Sequence, residues 1–190
     1  GAGWFEEEFR EFGYGFPPLG KRLDQLEEAL TIVRGLWDGQ EVDFKGEYYE
    51  MHGAVSSPQP LGLRLWIGGR GKVRTVDIAA RFADGFNMPY VPPEIAADRL
   101  ERLEKACEKH GRDFAKIDTS VNLGFYMNSD RTPDIDPRGA ITGGVQETID
   151  LIGRYKDAGI QGINIAFRPP VDWDNLQRYI EEVMPAFSTD

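Results

Sequence analysis

The stretch from Leu63 to Asn87, LRLWIGGRGKVRTVDIAARFADGFN, predicts a strand, a glycine-rich loop, a helix and a second strand in direct succession. The apolar run Leu65-Trp66-Ile67 is typical of a short strand that is buried on both faces. A helix is expected over Val73–Phe82, and Asp84-Gly85 then leads into a strand over Phe86–Met88. The stretch therefore predicts one strand–helix–strand unit of an α/β fold.

The loop of this unit has the features of a phosphate-sized anion site. Glycines let the backbone approach a ligand with its N–H groups facing outward. The first turn of a helix adds unpaired amides, and its dipole favours an anion. The residues concerned are Gly68, Gly69, Arg70, Gly71, Lys72, Arg74 and Thr75. A tight turn without a ligand is the alternative, but three glycines among basic residues favour the anion site.

Composition excludes several classes of function. The 190 residues carry a net charge of −10, which argues against nucleic acid or an anionic membrane as the main partner. A single cysteine, Cys107, leaves no intrachain disulfide and no cysteine metal cluster, and it is expected to be a small core residue. We expect no metal. The sequence has neither a signal peptide nor an apolar run long enough to span a bilayer, so the protein is expected to be cytoplasmic.

The remaining chain continues the alternation of helices and strands. A clear amphipathic helix is expected over Arg22–Trp37, and a small hairpin follows it. The elements expected after residue 88 are a helix from Pro92 to Gly111, a strand over Thr119–Met127, a helix from Val145 to Gly159, a strand over Ile163–Phe167 and a helix over Trp173–Phe187. Gly143-Gly144, before the second of these helices, is a second and weaker candidate for an anion site.

Strict alternation of strand and helix predicts a parallel sheet with right-handed crossovers. Two architectures fit: a doubly wound open sheet, or a (β/α)8 barrel of which only the later half is present. No strand opens with a dinucleotide fingerprint followed by a suitably placed acid, which favours the barrel. A barrel places its active site at the carboxyl ends of the strands. The residues expected there are Gly3, Gly68, Asn87, Asn128 and Arg168.

Three segments resemble one known family. They are GAGWFEEEFREFGYGFPPLGKRLDQLEEALTIVRGLW at residues 1–37, FKGEYY at residues 44–49 and LWIGGRGKVRTVDIAARFADGFN at residues 65–87. Together they resemble the luciferase-like monooxygenase superfamily, and within it the branch of oxidoreductases that use the deazaflavin coenzyme F420. The IGG loop and the ADGFN segment are the most specific motifs. The similarity continues more loosely over residues 159–187.

The resemblance implies a TIM-like (β/α)8 barrel of the bacterial-luciferase type, running here from the end of strand 4 to helix 8. Residues 1–190 would then be one barrel domain that is incomplete at its N-terminus. Family members hold part of the coenzyme ring with residues of their first three strands, and these have no counterpart in this sequence. No catalytic residue is assigned for that reason.

The resemblance also implies a set of binding residues. The cofactor-binding set is Ala2, Gly3, Trp4, Ile67, Gly68, Gly69, Arg70, Gly71, Lys72 and Thr75, of which Arg70, Gly71, Lys72 and Thr75 would surround the phosphate. Phe86 and Asn87 are expected to face the substrate, with a structural role equally open for both. Arg168 is expected to hold an anionic group, with a surface salt bridge as the alternative.

The expected function is hydride transfer between F420 and a small organic substrate. An FMN-dependent monooxygenase is the first alternative, because a phosphate-binding loop does not distinguish FMN from F420. A non-catalytic half barrel that assembles with itself is a second alternative, and a homodimer is expected. A barrel enzyme acting on a phosphorylated metabolite ranks last, since no lysine or paired carboxylate falls at an expected strand end.

Overall fold

The alternating helices and strands are present in the computed structural model, which describes residues 1–188. In chain order, the elements are α1 Glu6–Glu11, α2 Leu19–Trp37, β1 Val42–Lys45, β2 Glu50–Ala54, β3 Trp66–Gly68, α3 Arg74–Phe82, β4 Gly85–Pro89, α4 Pro93–Lys109, β5 Asp118–Phe125, β6 Ala140–Ile141, α5 Val145–Asp157, β7 Gly162–Ala166 and α6 Trp173–Arg178. In the described part of the chain, no helix combines the length and the hydropathy needed to cross a bilayer.

The main sheet is parallel and has the order β3–β4–β5–β7. Gly68 pairs with Asn87, Asn87 with Ser120 and Ser120 with Gly162, so these positions lie at one level across all four strands. The short β6 pairs with the carboxyl-terminal end of β5, at Gly124 and Phe125. Parallel strands joined by helices in this order form part of a barrel, as the alternation predicts.

The helices cover one face of this sheet and form the core with it. Ile67, Phe86, Met88, Val121 and Leu123 each have at most 1% of their surface exposed. Burying a large apolar side chain of this kind stabilises the fold by roughly 1.5–3 kcal/mol. Strand residues that alternate with these point to the opposite face, which corresponds to the inside of a barrel.

The amino-terminal third is anchored to the first strand–helix–strand unit. Arg34 on α2 donates from Nε to the carbonyl oxygen of Phe82 at 3.0 Å and pairs with Asp84 at 2.8 Å. The hairpin of β1 and β2 is antiparallel, as expected, and its turn rests on α2. The Glu28 carboxylate accepts hydrogen bonds from the backbone N–H groups of residues 47–49, at 2.7, 3.0 and 3.1 Å.

Two expectations about secondary structure are wrong, and the third, a helix over Trp173–Phe187, is confirmed with a change of helix type. Gly1–Trp4 is not the end of a strand, because Gly3 has φ of 78° and turns the chain. The strand at residues 65–67 is not buried on both faces, because Trp66 lies on the face without helices and is 43% exposed. The last helix is α-helical only to Arg178. It continues as a π turn and a 3-10 turn because Pro185 lacks the N–H that a further α turn needs.

Candidate functional site

A run of unpaired backbone donors follows β3. The N–H of Gly69 donates to the carbonyl oxygen of Asn87 at 3.1 Å, and the N–H of Asp77 donates to Val73 at 2.9 Å. Between them, the N–H groups of residues 70–76 donate to no backbone carbonyl of residues 1–188. The loop and the first turn of α3 therefore present consecutive donors at the carboxyl end of the sheet, where an anion would satisfy them.

The glycines of this loop fit the side chain of Thr75. A Cβ atom on Gly71 would lie 2.2 Å from Thr75 Oγ1, and one on Gly69 would lie 2.9 Å from Thr75 Cγ2. Thr75 therefore packs against the loop, and a Cβ at either position would force Thr75 or the loop to move. Gly68 differs, because no atom of the described chain lies within 4 Å of a Cβ placed there. The space beside Gly68 is open to a ligand.

Two cations are exposed beside the unpaired amides. Arg70 and Lys72 extend from the loop. Arg74 was expected at the same place, but its guanidinium turns to α2, where it contacts Asp24 at 2.7 Å and Glu27 at 2.6 Å. In a chain with a net charge of −10, the loop is a local concentration of positive charge and of hydrogen-bond donors. This donor set fits a phosphate group.

The first residues of the chain lie next to this loop. A Cβ on Gly1 would lie 3.4 Å from the carbonyl oxygen of Gly68. Arg22 on α2 fixes the segment by donating from Nε to the carbonyl oxygen of Ala2 at 3.1 Å. Trp4 is 85% exposed. Ala2 and its neighbours are thus close to the glycine loop, and their contact with a coenzyme stays a prediction.

The helix-free face of the sheet carries a layer of polar side chains. Asn87 Nδ2 donates to Ser120 Oγ at 2.8 Å and to Asn122 Oδ1 at 3.0 Å. Asn164 donates to the same Asn122 oxygen at 3.2 Å. With Trp66, these residues line an open cavity of about 570 Å³. Asn87 therefore faces this cavity, at the level of Gly68.

Three residues of this layer, Ser120, Asn122 and Asn164, were not predicted as site residues. The signal was present in the sequence, because polar residues alternate with apolar ones in SVNL at residues 120–123 and in INI at residues 163–165. Such alternation indicates a strand with one buried and one polar face. The pattern predicts the strands but does not by itself assign their polar face to a site.

Two expected binding residues are on the other face. Phe86 has no exposed surface and Ile67 has 1%. Both side chains pack in the core under the helices, because they alternate with Asn87 and Gly68 along their strands. The side chain of Phe86 therefore does not face a substrate. Only the backbone of Ile67 is near the loop.

Arg168 takes part in a local network after β7. Its Nε donates to Asp134 Oδ2 at 3.1 Å, and the hydroxyl of Tyr126 donates to Asp134 Oδ1 at 2.6 Å. The Tyr126 hydrogen bond, followed by that of Arg168, holds the pKa of Asp134 below its ordinary value. The salt-bridge alternative for Arg168 is therefore present in the structure. Tyr126 and Arg168 also line a cavity of about 280 Å³.

The second glycine pair does not form an anion site of the same kind. Gly144 is the N-cap residue of α5. A Cβ on Gly144 would lie 3.1 Å from Glu147 Oε2. The carboxylate of Glu147 is thus beside the start of α5, where it would repel a second anion.

Comparison with known proteins agrees with this geometry. The sequence pattern of the luciferase-like monooxygenase family matches residues 1–161. An F420-dependent glucose-6-phosphate dehydrogenase from Nakamurella multipartita is 31% identical over 122 residues, which cover 63% of this chain and 36% of that protein. The pyrimidine monooxygenase RutA from Rhizobium rhizogenes is 32% identical over 121 residues, covering 61% and 33%. The chain thus spans about a third of the length of these curated relatives.

Solved structures show the same fold. An F420-dependent secondary alcohol dehydrogenase, in complex with an F420-acetone adduct, superposes with a TM-score of 0.76 at 19% sequence identity. The match covers 92% of this chain and 64% of that one. The parallel sheet, the glycine loop at its carboxyl end and the family pattern over most of the sequence lead to one conclusion. The chain belongs to the luciferase-like monooxygenase family.

Proposed function

We propose that this chain provides the coenzyme-phosphate site of an oxidoreductase that transfers a hydride between F420 and a small organic substrate. The observation that supports this proposal most is the run of unpaired N–H groups at residues 70–76, flanked by Arg70 and Lys72. The F420-dependent relatives favour this coenzyme. The open space beside Gly68 leaves room for the part of the coenzyme that leads from the phosphate towards the sheet.

In this proposal the chain binds and orients the coenzyme, and the coenzyme supplies the hydride chemistry when it is bound. The loop amides with Arg70 and Lys72 hold the phosphate. Asn87 is the nearest polar side chain of the inner layer, because it pairs with Gly68 across β3 and β4. Its amide nitrogen is already bonded to Ser120 and Asn122. The Asn87 side chain is therefore held in one orientation, which suits a residue that positions a ligand.

An FMN-dependent monooxygenase is the second candidate. The pyrimidine monooxygenase relative, at 32% identity, supports monooxygenase chemistry. FMN and F420 each carry a phosphate that the same donors would bind. The two candidates differ in the ring and in the negative charge beyond the phosphate, so equilibrium titrations with each coenzyme separate them.

Replacing both loop cations by glutamate tests the proposed site. We expect Arg70→Glu with Lys72→Glu to weaken coenzyme binding by at least about 100-fold, because two attractive charges become repulsive. Fluorescence titration with F420 and with FMN measures the effect. The matched control is Lys116→Glu with Lys156→Glu. It makes the same change in charge near the amino-terminal ends of β5 and β7, away from the loop.

The control is expected to bind like the unaltered protein. Coenzyme affinity that stays unchanged in the loop variant, as in the control, would contradict the assignment of the phosphate to this loop. A uniform loss in both variants would indicate long-range electrostatics instead of a local site.

A further inference from the structure

Arg99 on α4 is a buried cation with an unpaired donor. Only 5% of its surface is exposed. One terminal nitrogen of its guanidinium hydrogen-bonds to Asp98. Its Nε is buried and has no hydrogen-bond partner among residues 1–188. Arginine does not lose its charge in a protein, so this N–H remains a donor that lacks an acceptor.

The face of α4 that carries Arg99 is turned towards α3. Arg99 and His110 are 11 residues apart, which is about three helical turns, so they lie on the same side of α4. His110 Nε2 contacts Asp77 of α3 at 2.8 Å. The next residue, Leu100, lies on the opposite flank, because its Cδ1 is 3.3 Å from a Cβ placed on Gly159 after α5.

The rise of the two helices places Arg99 at about the height of the glycine loop. It stands about 16 Å before His110 along α4, whereas α3 begins only about 5 Å before Asp77. Since the two helices run side by side in the same direction, Arg99 extends about 10 Å beyond the start of α3, where residues 69–73 lie. The pKa of Asp98 is lowered mainly by its Arg102 hydrogen bond, with smaller contributions from Arg99 and Lys72. Lys72 of the loop is therefore close enough to Asp98, the partner of Arg99, to stabilise its charge.

Three cations, Arg99, Arg102 and Lys72, act on the Asp98 carboxylate. Asp98 is hydrogen-bonded to Arg99 and also to Arg102, whose Nε lies 3.0 Å from both Asp98 oxygens. One carboxylate thus serves two guanidinium groups, with Lys72 close by. An anion at the loop would offer acceptors to the Nε of Arg99, which is unpartnered in the described part of the chain.

We propose that Arg99 is a further binding residue of the coenzyme-phosphate site. When the phosphate binds at residues 70–76, the guanidinium turns from Asp98 towards the loop and donates from Nε and a terminal nitrogen to phosphate oxygens. Asp98 holds the side chain in the free protein and competes with the phosphate for it. This inference rests on the proposed function.

The test isolates the contribution of the phosphate to affinity. Fluorescence titrations compare FMN with riboflavin, and F420 with the deazaflavin that lacks the phosphate and the acidic tail. For each pair, the ratio is the affinity for the coenzyme with the phosphate divided by the affinity for the compound without it. We expect Arg99→Gln to reduce this ratio by about tenfold, because charge-assisted hydrogen bonds are lost. Arg102→Gln is the matched control, since it removes the other guanidinium on Asp98 from an exposed position. It is expected to leave the ratio within about twofold.

A ratio unchanged in Arg99→Gln, while Arg70→Glu with Lys72→Glu abolishes it, would overturn the role of Arg99 and leave the loop site intact. No phosphate-dependent affinity in the unaltered protein would overturn both. Circular dichroism checks that each variant is folded. If Arg99→Gln does not fold, Asp98→Asn tests the same inference. Removing the competing carboxylate is expected to raise the ratio severalfold. An unchanged or lower ratio would contradict the inference.

Discussion

At Gly71, a methyl group would meet Thr75 Oγ1 at 2.2 Å, so the loop and the first turn of α3 are fitted to each other. The glycines and basic residues of this loop are a local feature, and the sequence was enough to propose a candidate anion site from them. Arg74 was not predictable in this way. Its partners, Asp24 and Glu27, are about 50 positions away in the chain, and only the packed structure brings α2 against α3.

Alanine at Gly71 tests this fit. We expect Gly71→Ala to lower the free energy of unfolding by about 1–3 kcal/mol and to weaken coenzyme binding, because the loop must move away from Thr75. Adding Thr75→Ala is expected to restore part of both losses, since it removes the atoms that clash. Urea unfolding and coenzyme titration measure the two effects.

Gly68→Ala is the control for folding, because a Cβ there meets no atom within 4 Å in the described chain. Equal destabilisation by Gly68→Ala and Gly71→Ala would show that the contact with Thr75 is not the cause.

Asp84 connects elements of the first strand–helix–strand unit. Its Oδ2 accepts a hydrogen bond from the N–H of Leu65 at 2.8 Å, and its Oδ1 pairs with Arg34 of α2 at 2.8 Å. Desolvation raises the pKa of this carboxyl, but the Arg34 hydrogen bond and the Leu65 N–H together outweigh it. The net pKa is therefore below the ordinary value of 3.8. Asp84 follows α3 directly, and it thus fixes α3, β3 and α2 relative to one another.

The lowered pKa predicts how stability depends on pH. Asp84 contributes its full stabilisation above the unfolded-state pKa of 3.8, and the contribution is lost as pH falls through the lower folded-state value. We therefore expect Asp84→Asn to destabilise the protein by about 1–2 kcal/mol at pH 7, and by much less near pH 3. Urea unfolding at both pH values measures the difference, with the exposed Asp130→Asn as control. A destabilisation independent of pH would contradict the ionic role of Asp84.

At the scale of elements, the long periodic segments and most of the short strands were predictable, but not all of the short strands. Helices α2, α4 and α5 and strand β5 were expected within a few residues of their observed bounds, because apolar residues recur with a clear period. The two-residue strand β6 was missed, since its pairing with Gly124 and Phe125 depends on the long connection after β5. Its sequence has too few residues to show a period.

At the scale of the whole molecule, strand–helix alternation predicted the parallel sheet. It did not predict which strand residues face the core and which face the polar layer. Phe86 and Asn87 are neighbours in the sequence and were assigned the same role. In the structure, Phe86 is in the core and Asn87 belongs to the polar layer with Ser120 and Asn122. The assignment of faces requires the register of the strands, which sets Asn87 beside Gly68 and Ser120.

The polar layer and the glycine loop meet at one end of the sheet. Gly68 is the last residue of β3, and the carbonyl oxygen of Asn87 binds the N–H of Gly69. A ligand whose phosphate lies at residues 70–76 would therefore extend over the cavity lined by Trp66 and Asn122. This arrangement relates the anion site to the face where a ring and a substrate would bind.

Hydrogen–deuterium exchange of the protein with saturating F420, and separately with FMN, tests the proposed coenzyme site most directly. The N–H groups of residues 70–76 lack backbone acceptors in the described chain, so they should exchange fast in the free protein. We predict that peptides covering these residues exchange more slowly with the coenzyme that binds, while peptides from β1 and β2 do not change. Coenzyme binding without slower exchange at residues 70–76 would contradict the glycine loop as the phosphate site.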